Sequence, residues 1–406
     1  MHCASKAMNL FSEKLNSQET PSWYTGRLWL MRLGYYKLHR PKTQAEDWIW
    51  IVDHSVQIGV EKCLMILGIR LKDLPQDRAL TYQDVEPIDL VPVKESNGNI
   101  VYAQLEEAVK KTGVPREIIS DHGSDLLSGI NHFLEKHLLT CSIYDIKHKT
   151  ASILKRELEN DESWKSFIEN CTQTKVQVQQ TGLAFLAPPN QRSKSRYMNV
   201  DTLVEWGIKA LNFIETEKEN PNKNLDQEKI KVKFHWLVNF EKKINEWKEM
   251  LWVVELTESS IRKKGYTQNM GEILENDLNK FSLCDNANKV KEDLLSFIKQ
   301  ESKKAKADER LLGSSEIIES VFGKQKMLER DQSKNGFTGI ILSVGAFLAT
   351  TTEDIIMEAV TTVKTKTVCQ WVKEKIGETV QSCRVNLLSI PNKTNKNGIN
   401  MEPMAI

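Results

Sequence analysis

The 406-residue chain carries 56 Lys and Arg against 55 Asp and Glu, a formal charge of +1. This excludes a protein that works through a strong overall field, so any nucleic-acid surface has to come from local clustering. Hydrophobic residues at 40% and charged residues at 27% are those of a globular chain, long enough for two or three domains or for one core with a large insertion.

The seven cysteines show no CxxC spacing, which argues against a zinc site or a disulfide framework and fits reduced thiols in a cytosol. The first residues, Met1 to Lys6, lack the apolar region of a secretory signal. The most apolar stretch, Phe337 to Leu348, is 12 residues long, short of the roughly 18 that a membrane span needs. A soluble protein with no membrane partner is expected.

Residues 1–46 interleave Trp23, Trp29, Tyr35 and Tyr36 with Arg27, Arg32, Lys37, Arg40 and Lys42. Two readings stand: contacts to DNA phosphates and bases, or an amphipathic segment around Trp29–Leu33 packed on the core.

From Trp48 to Val52 the sequence is aromatic and β-branched without interruption, the pattern of a strand covered on both faces. It stops at Asp53, so a carboxylate sits where the strand leaves the core. Gly59 and Lys62 mark a turn, and Cys63–Arg70 supplies a second apolar strand to complete a hairpin. Ile88–Val93 reads as a short strand, at an edge because Pro92 has no ladder donor. A helix over about Ile100–Lys111 stops at Gly113. Glu117–Asp121 then makes a strand, a helix carries Leu126, Ile130 and Phe133 inward, and Cys141–Tyr144 makes a further strand ending at Asp145, with His148 close behind. Strands alternating with helices indicate an α/β domain.

Residues 151–310 are Lys- and Glu-rich with apolar positions at helical spacing, such as Leu203/Ile208/Leu211 and Leu294/Leu295/Ile298, and predict an all-helical insertion. Five tryptophans lie there, with helix core as their default role. Beyond it, Ser314 or Ser315 caps a helix whose apolar face is Ile317, Ile318, Val321 and Phe322. Helices over Gly339–Leu348 and Thr352–Gly377 follow, then a polar tail at 386–406.

Three acids stand apart: Asp53 and Asp121 at strand ends, and Glu319 on the helix after the insertion. Functional groups of open α/β sheets gather outside strand ends. Carboxylates there suit Mg²⁺, a hard ion that keeps part of its water shell and takes phosphate oxygens.

Trp48–Gly59, Ile119-Ser120-Asp121-His122-Gly123 and Ser315–Ser320 with Lys326 together resemble the DDE transposases of bacterial insertion sequences. The resemblance covers about residues 25–385. It implies an α/β fold with an RNase H-like core, a mixed sheet with flanking helices, interrupted by a large all-α insertion. The division would be 1–46 as a linker or remnant of a DNA-binding region, 47–150 and 311–385 as the two parts of the core, 151–310 as the insertion, and 386–406 as the tail. It implies that Asp53, Asp121 and Glu319 are catalytic and hold two Mg²⁺ or Mn²⁺ ions, about 3.5–4 Å apart in such centres. The reaction would be cleavage at the element ends followed by strand transfer into target DNA.

In several such families a lysine follows the glutamate by seven positions, as Lys326 follows Glu319 here. That spacing is about two helical turns and sets the amine toward a DNA phosphate, with Lys324 and Arg330 beside it. The tyrosine and arginine that often precede the glutamate are replaced by Leu312 and Ser315, so Glu316 is the alternative third acid, favoured in the first turn by the helix dipole. Asp145 and His148 are auxiliary candidates; Asp125 reads as a solvated helix start. Implied partners are DNA and further copies of the chain, in a cytoplasmic, nucleoid-associated setting. A structure-specific nuclease on the same core, or a decayed or truncated transposase that keeps only DNA contact, are the alternatives.

Overall fold

The enclosed run Trp48 to Val52 forms most of strand β1 (Trp48–His54). A strand apolar on both sides needs both sides covered. Trp48, Trp50 and Val52 pack into one cluster with Leu105, Ile130 and Phe133. Ile49 and Ile51, alternating with them, join a second cluster with Ile119, Ile143 and Ile318. The computed structural model describes residues 20–54, 62–190, 200–222, 225–330 and 338–377, with the side chains of Glu329 and Arg330 excepted. The expected turn at Gly59 and the expected polar tail lie outside the described residues.

Strand β2 (Lys62–Arg70) pairs antiparallel with β1, Trp48 opposite Arg70 and His54 opposite Leu64, which is the expected hairpin. Strand β3 (Glu86–Val93) pairs antiparallel with β2 and forms an edge, where the missing donor of Pro92 is tolerated. Helix α1 (Trp23–His39) buries Met31, Gly34, Lys37 and Leu38, so its inner face belongs to the core while Trp23 and Trp29 stay exposed.

Helix α2 (Gly98–Thr112) is capped by Asn97 and stopped by Gly113 at a φ of 86°, a left-handed conformation that costs glycine little. Strand β4 (Glu117–Ser120), helix α3 (Ser124–Lys136) and strand β5 (Cys141–Tyr144) follow. Both β4 and β5 run parallel to β1, giving a five-stranded mixed sheet in the order β3-β2-β1-β4-β5. Helices α2 and α3 cover the Trp50 face.

The next regular elements are helical. They are α4 (Ile146–Glu159), α5 (Glu162–Val178), α6 (Val200–Glu219), α7 (Gln227–Phe234), α8 (Glu241–Lys264), α9 (Met270–Leu278) and α10 (Asp285–Ser302), with short 3₁₀ turns between some of them. Trp164 and Trp247 are buried there, edge to face at 4.8 Å, and Phe167 packs on both. Edge-to-face rings of this kind add about 0.5–1.5 kcal/mol beyond their burial.

The chain then returns to the sheet through polar ties. Tyr266 and Leu311 form an antiparallel bridge. The Arg116 guanidinium donates to both oxygens of Glu309, at 2.8 and 2.6 Å. Leu312 N–H donates to the buried Glu117 carboxylate, and Ile146 N–H to Gly313 carbonyl. These bonds lay residues 309–315 along the ends of β4 and β5 and aim the next helix, α11 (Glu316–Arg330), against β1.

The expected helix over Gly339–Leu348 is a 3₁₀ turn, Gly339–Leu342, running into α12 (Ser343–Phe347). The expected single helix Thr352–Gly377 is two, α13 (Glu353–Thr362) and α14 (Thr365–Lys375). Arg32 of α1 explains the break: its guanidinium donates to the carbonyls of Val360 and Val363. That supplies partners for carbonyls a helix end leaves open, and Val363 and Lys364 turn extended. Among the described residues no helix is long and apolar enough to cross a membrane.

Candidate active site

Parallel register brings the two aspartates together. Ile51 of β1 lies opposite Ile119 of β4, and two more places along both chains set Asp53 beside Asp121. Ser120 lies opposite Tyr144, so the next place sets Asp121 beside Asp145. Three neighbouring strands thus release an aspartate at the same edge.

The three do not share one environment. Burial pushes the Asp53 carboxyl up to about 8; the charge of Asp121 adds to this, and that of Glu319 does so more weakly. The His54 amide and the His148 ring work against the rise. Asp121 accepts a 2.8 Å bond from Gly123 N–H, closing the turn in which His122 takes a φ of 56°. His122 stacks on Tyr144 with ring centres 4.4 Å apart. Burial, with Lys304 nearby, holds its imidazole down to about 4. His54 turns to Ser96 at 2.9 Å and to Asp125 at 3.6 Å, so Asp125 sits between the His54 ring and the Lys62 ammonium.

Asp145 is buried, and both its oxygens are occupied. Oδ1 accepts from His148 N–H at 2.9 Å, capping α4, and Oδ2 accepts the N–H and hydroxyl of Ser315. It ties α4 to the start of α11. His148, one turn into α4, reaches Glu319 Oε1 through Nε2 at 3.0 Å. Burial alone would lower the His148 pKa, but the Glu319 bond and the charges of Asp145 and Asp121 outweigh it and raise it. The same bond is the chief reason the Glu319 carboxyl is lowered.

Glu316, one turn earlier, has Arg262 Nε at 2.9 Å and Lys147 Nζ at 3.6 Å. Lys147 also stands 3.9 Å from Glu319. Lys326 is exposed, and its charge helps lower the Glu319 carboxyl. Lys324 lies 3.7 Å over the Tyr82 ring, a cation–π contact worth about 0.5–1 kcal/mol when exposed. The Arg330 side chain lies outside the described residues.

Glu319 therefore lies on a helix packed on β1 and within electrostatic reach of Asp53, while Glu316 faces the helical region. Lys147 and Arg262 were not singled out from sequence. Lys147 sits next to a candidate and could have been noticed; Arg262, in the last turn of a long polar helix, carries no local signal.

The donor chemistry at Asp53 and Asp121 suits a hard cation, since two adjacent carboxylates hold one of them protonated when no positive charge lies between. The third donor is differently engaged: Glu319 spends Oε1 on His148. Among the described residues no group of three or more His, Cys, Asp or Glu side chains is arranged to hold a metal ion.

No protein-family model matches the sequence, and no curated protein matches it. A solved structure described as the Drosophila P element transposase strand transfer complex is similar over 86% of this chain and 89% of that chain, at 14% identity and a TM-score of 0.41.

Proposed function

We propose that the chain is a DNA transposase of the DDE kind, with the five-stranded sheet as an RNase H-like core and residues 151–310 as its helical insertion. The observation that carries the reading is the pairing of Asp53 and Asp121 at the ends of adjacent parallel strands, with α11 laid on β1 so that the charge of Glu319 is felt at Asp53. The sheet order, with β2 antiparallel between β1 and β3 and with β4 and β5 parallel beyond β1, is the order this core would have.

Asp53, Asp121 and Glu319 would hold two Mg²⁺ or Mn²⁺ ions, which when bound supply Lewis-acid activation of the attacking oxygen and stabilisation of the leaving one. The chain's own part is to bring oxygen donors to one edge; ligation would require Asp53 to lose the proton that its burial favours and Glu319 to leave His148. His148 then stands free to hold a proton or touch a phosphate. Lys326, on the Glu319 side of α11, would contact the DNA backbone, with Lys324 and Arg330 further along. Phosphate contacts of this kind position the duplex without reading its sequence. Joining two ends calls for more than one copy of the chain on the DNA, in the cytoplasm and at the nucleoid of a bacterial host.

The Glu319–His148 bond favours a second reading, a descendant that keeps DNA contact but no longer joins strands. One assay separates them. The protein is incubated with Mg²⁺ and DNA carrying the repeats that flank its own locus, beside Asp53→Asn. Cleavage and joining lost in the variant support the transposase. Nicking of branched DNA without joining supports a structure-specific nuclease, and binding alone supports the descendant.

A further inference from the structure

We infer that Lys147 and Arg262 form a clamp for one DNA phosphate beside the candidate site, and that Glu316 occupies this clamp while DNA is absent. The inference rests on the DNA reading above and adds the residues that seat the backbone.

Arg262 stands in a wall shared by two clefts. One, of about 370 Å³, lies between residues 79–82 and the start of α11; the other, of about 480 Å³, lies between α4, α6 and α8 and is also lined by Lys147. Both cations reach Glu316, which is partly open to solvent, as they are. Their contacts are ionic rather than directed. Arg262 Nε is 2.9 Å from Glu316 Oε2, yet this buried atom has no directed hydrogen bond. Its terminal nitrogen is 3.8 Å from Glu258, and Lys147 is 3.6 and 3.9 Å from Glu316 and Glu319, all beyond hydrogen-bond range.

A guanidinium and an ammonium held by charge alone around one carboxylate exchange that carboxylate at little cost. A phosphate offers more acceptor oxygens and takes two parallel N–H bonds from arginine. Glu316 loses little when displaced, because an acid in the first turn keeps the favourable end of the helix dipole and can turn to water. The seat lies next to Glu319 and one residue from His148, at the margin of the candidate site.

The test is DNA binding by the full chain, read by fluorescence anisotropy of a labelled duplex over a salt series, with EDTA present so that nothing is cut. Arg262→Ala should bind about 3- to 10-fold more weakly and flatten the slope of log K against log salt by about 0.9, the share of one phosphate. Arg262→Lys should keep the slope, since it keeps the charge. Glu316→Gln should bind several-fold more tightly with the wild-type slope, and as a gain of binding it cannot be a folding failure. The clamp is overturned if the slope of Arg262→Ala equals that of the wild type, or if Glu316→Gln binds no more tightly. Wild-type protein that binds no DNA overturns the DNA reading itself, a result distinct from either.

Discussion

Asp145 Oδ2 accepts both the backbone N–H and the hydroxyl of Ser315, although 170 positions separate them in the chain. A strand-end aspartate that the spacing marks as a metal candidate is thereby a bracket between α4 and α11. Its other oxygen caps α4, so the group that orients His148 also seats the helix bearing Glu319.

Asp145→Asn should weaken this bracket without altering its size. An amide keeps one acceptor oxygen and points donors at the amide and hydroxyl of its former partners. Because the lost bonds are charge-assisted and buried, the expected cost is about 1–3 kcal/mol in urea denaturation. An unchanged midpoint would show that the start of α11 is held by other contacts.

Helices α1 and α12 touch through glycines. A Cβ on Gly34 would lie 1.7 Å from the Leu342 carbonyl oxygen, and one on Gly345 would lie 2.5 Å from the Gly34 carbonyl oxygen. Backbone cannot yield as a side-chain tip can, so Gly34→Ala should cost about 1–3 kcal/mol or more. Gly26, on the same helix, has nothing within 4 Å of an added Cβ. Gly26→Ala should be neutral or stabilising by about 0.5–1 kcal/mol. Thermal melts of the two variants test the pair, and equal shifts would contradict the close crossing.

Asp53 predicts a trade of stability against function. Its carboxyl is held near 8 in the fold by burial and by Asp121, against roughly 4 when unfolded. Between those values the folded state binds the extra proton, so this group's contribution to stability falls as pH rises from about 4 to about 8. Asp53→Asn removes the loss and should be the more stable protein at pH 7, by on the order of 1 kcal/mol or more. If the proposed ions bind, Mg²⁺ should raise the melting temperature of the wild type and leave Asp53→Asn unmoved. Identical responses would count against Asp53 as a ligand.

Lys37 works in the other direction. It is buried, donates to the carbonyls of Leu348 and Ala349 and to the Thr351 hydroxyl, and burial pulls it down to about 8. The unfolded lysine titrates near 10.4, so between about 8 and 10.4 the unfolded state binds more protons and this group's contribution to stability rises with pH. Below pH 8 the desolvation cost is fully present. Lys37→Met should lose the rise across that window; at neutral pH the relief of desolvation offsets the acceptors it strands, so its deficit against the wild type should be larger at pH 9.5 than at pH 7. Denaturation at pH 7 and pH 9.5 measures both effects.

Much of the sheet could be read from local text. Trp48–Val52 reads as a doubly covered strand from its short aromatic and β-branched run, Cys63–Arg70 follows it at hairpin distance, and Gly113 ends α2 because few other residues tolerate its φ. The break between α13 and α14 could not be read, because its cause is Arg32, more than three hundred positions away. For the candidate site the division is similar. Asp53 and Asp121 each show as an acid ending an apolar strand, but Lys147 and Arg262 look like any wet lysine and arginine.

The sequence by itself determined the strands of the sheet, most of the helices and which acids leave the core, because hydrophobic period and backbone preference act over a few residues at a time. Tertiary structure alone decided that β4 lies beside β1, that Asp145 is a bracket while Asp121 stays at the open edge, and that Glu319 meets His148. Those outcomes depend on register between distant strands and on buried polar groups finding partners, and neither is written in any short stretch of chain.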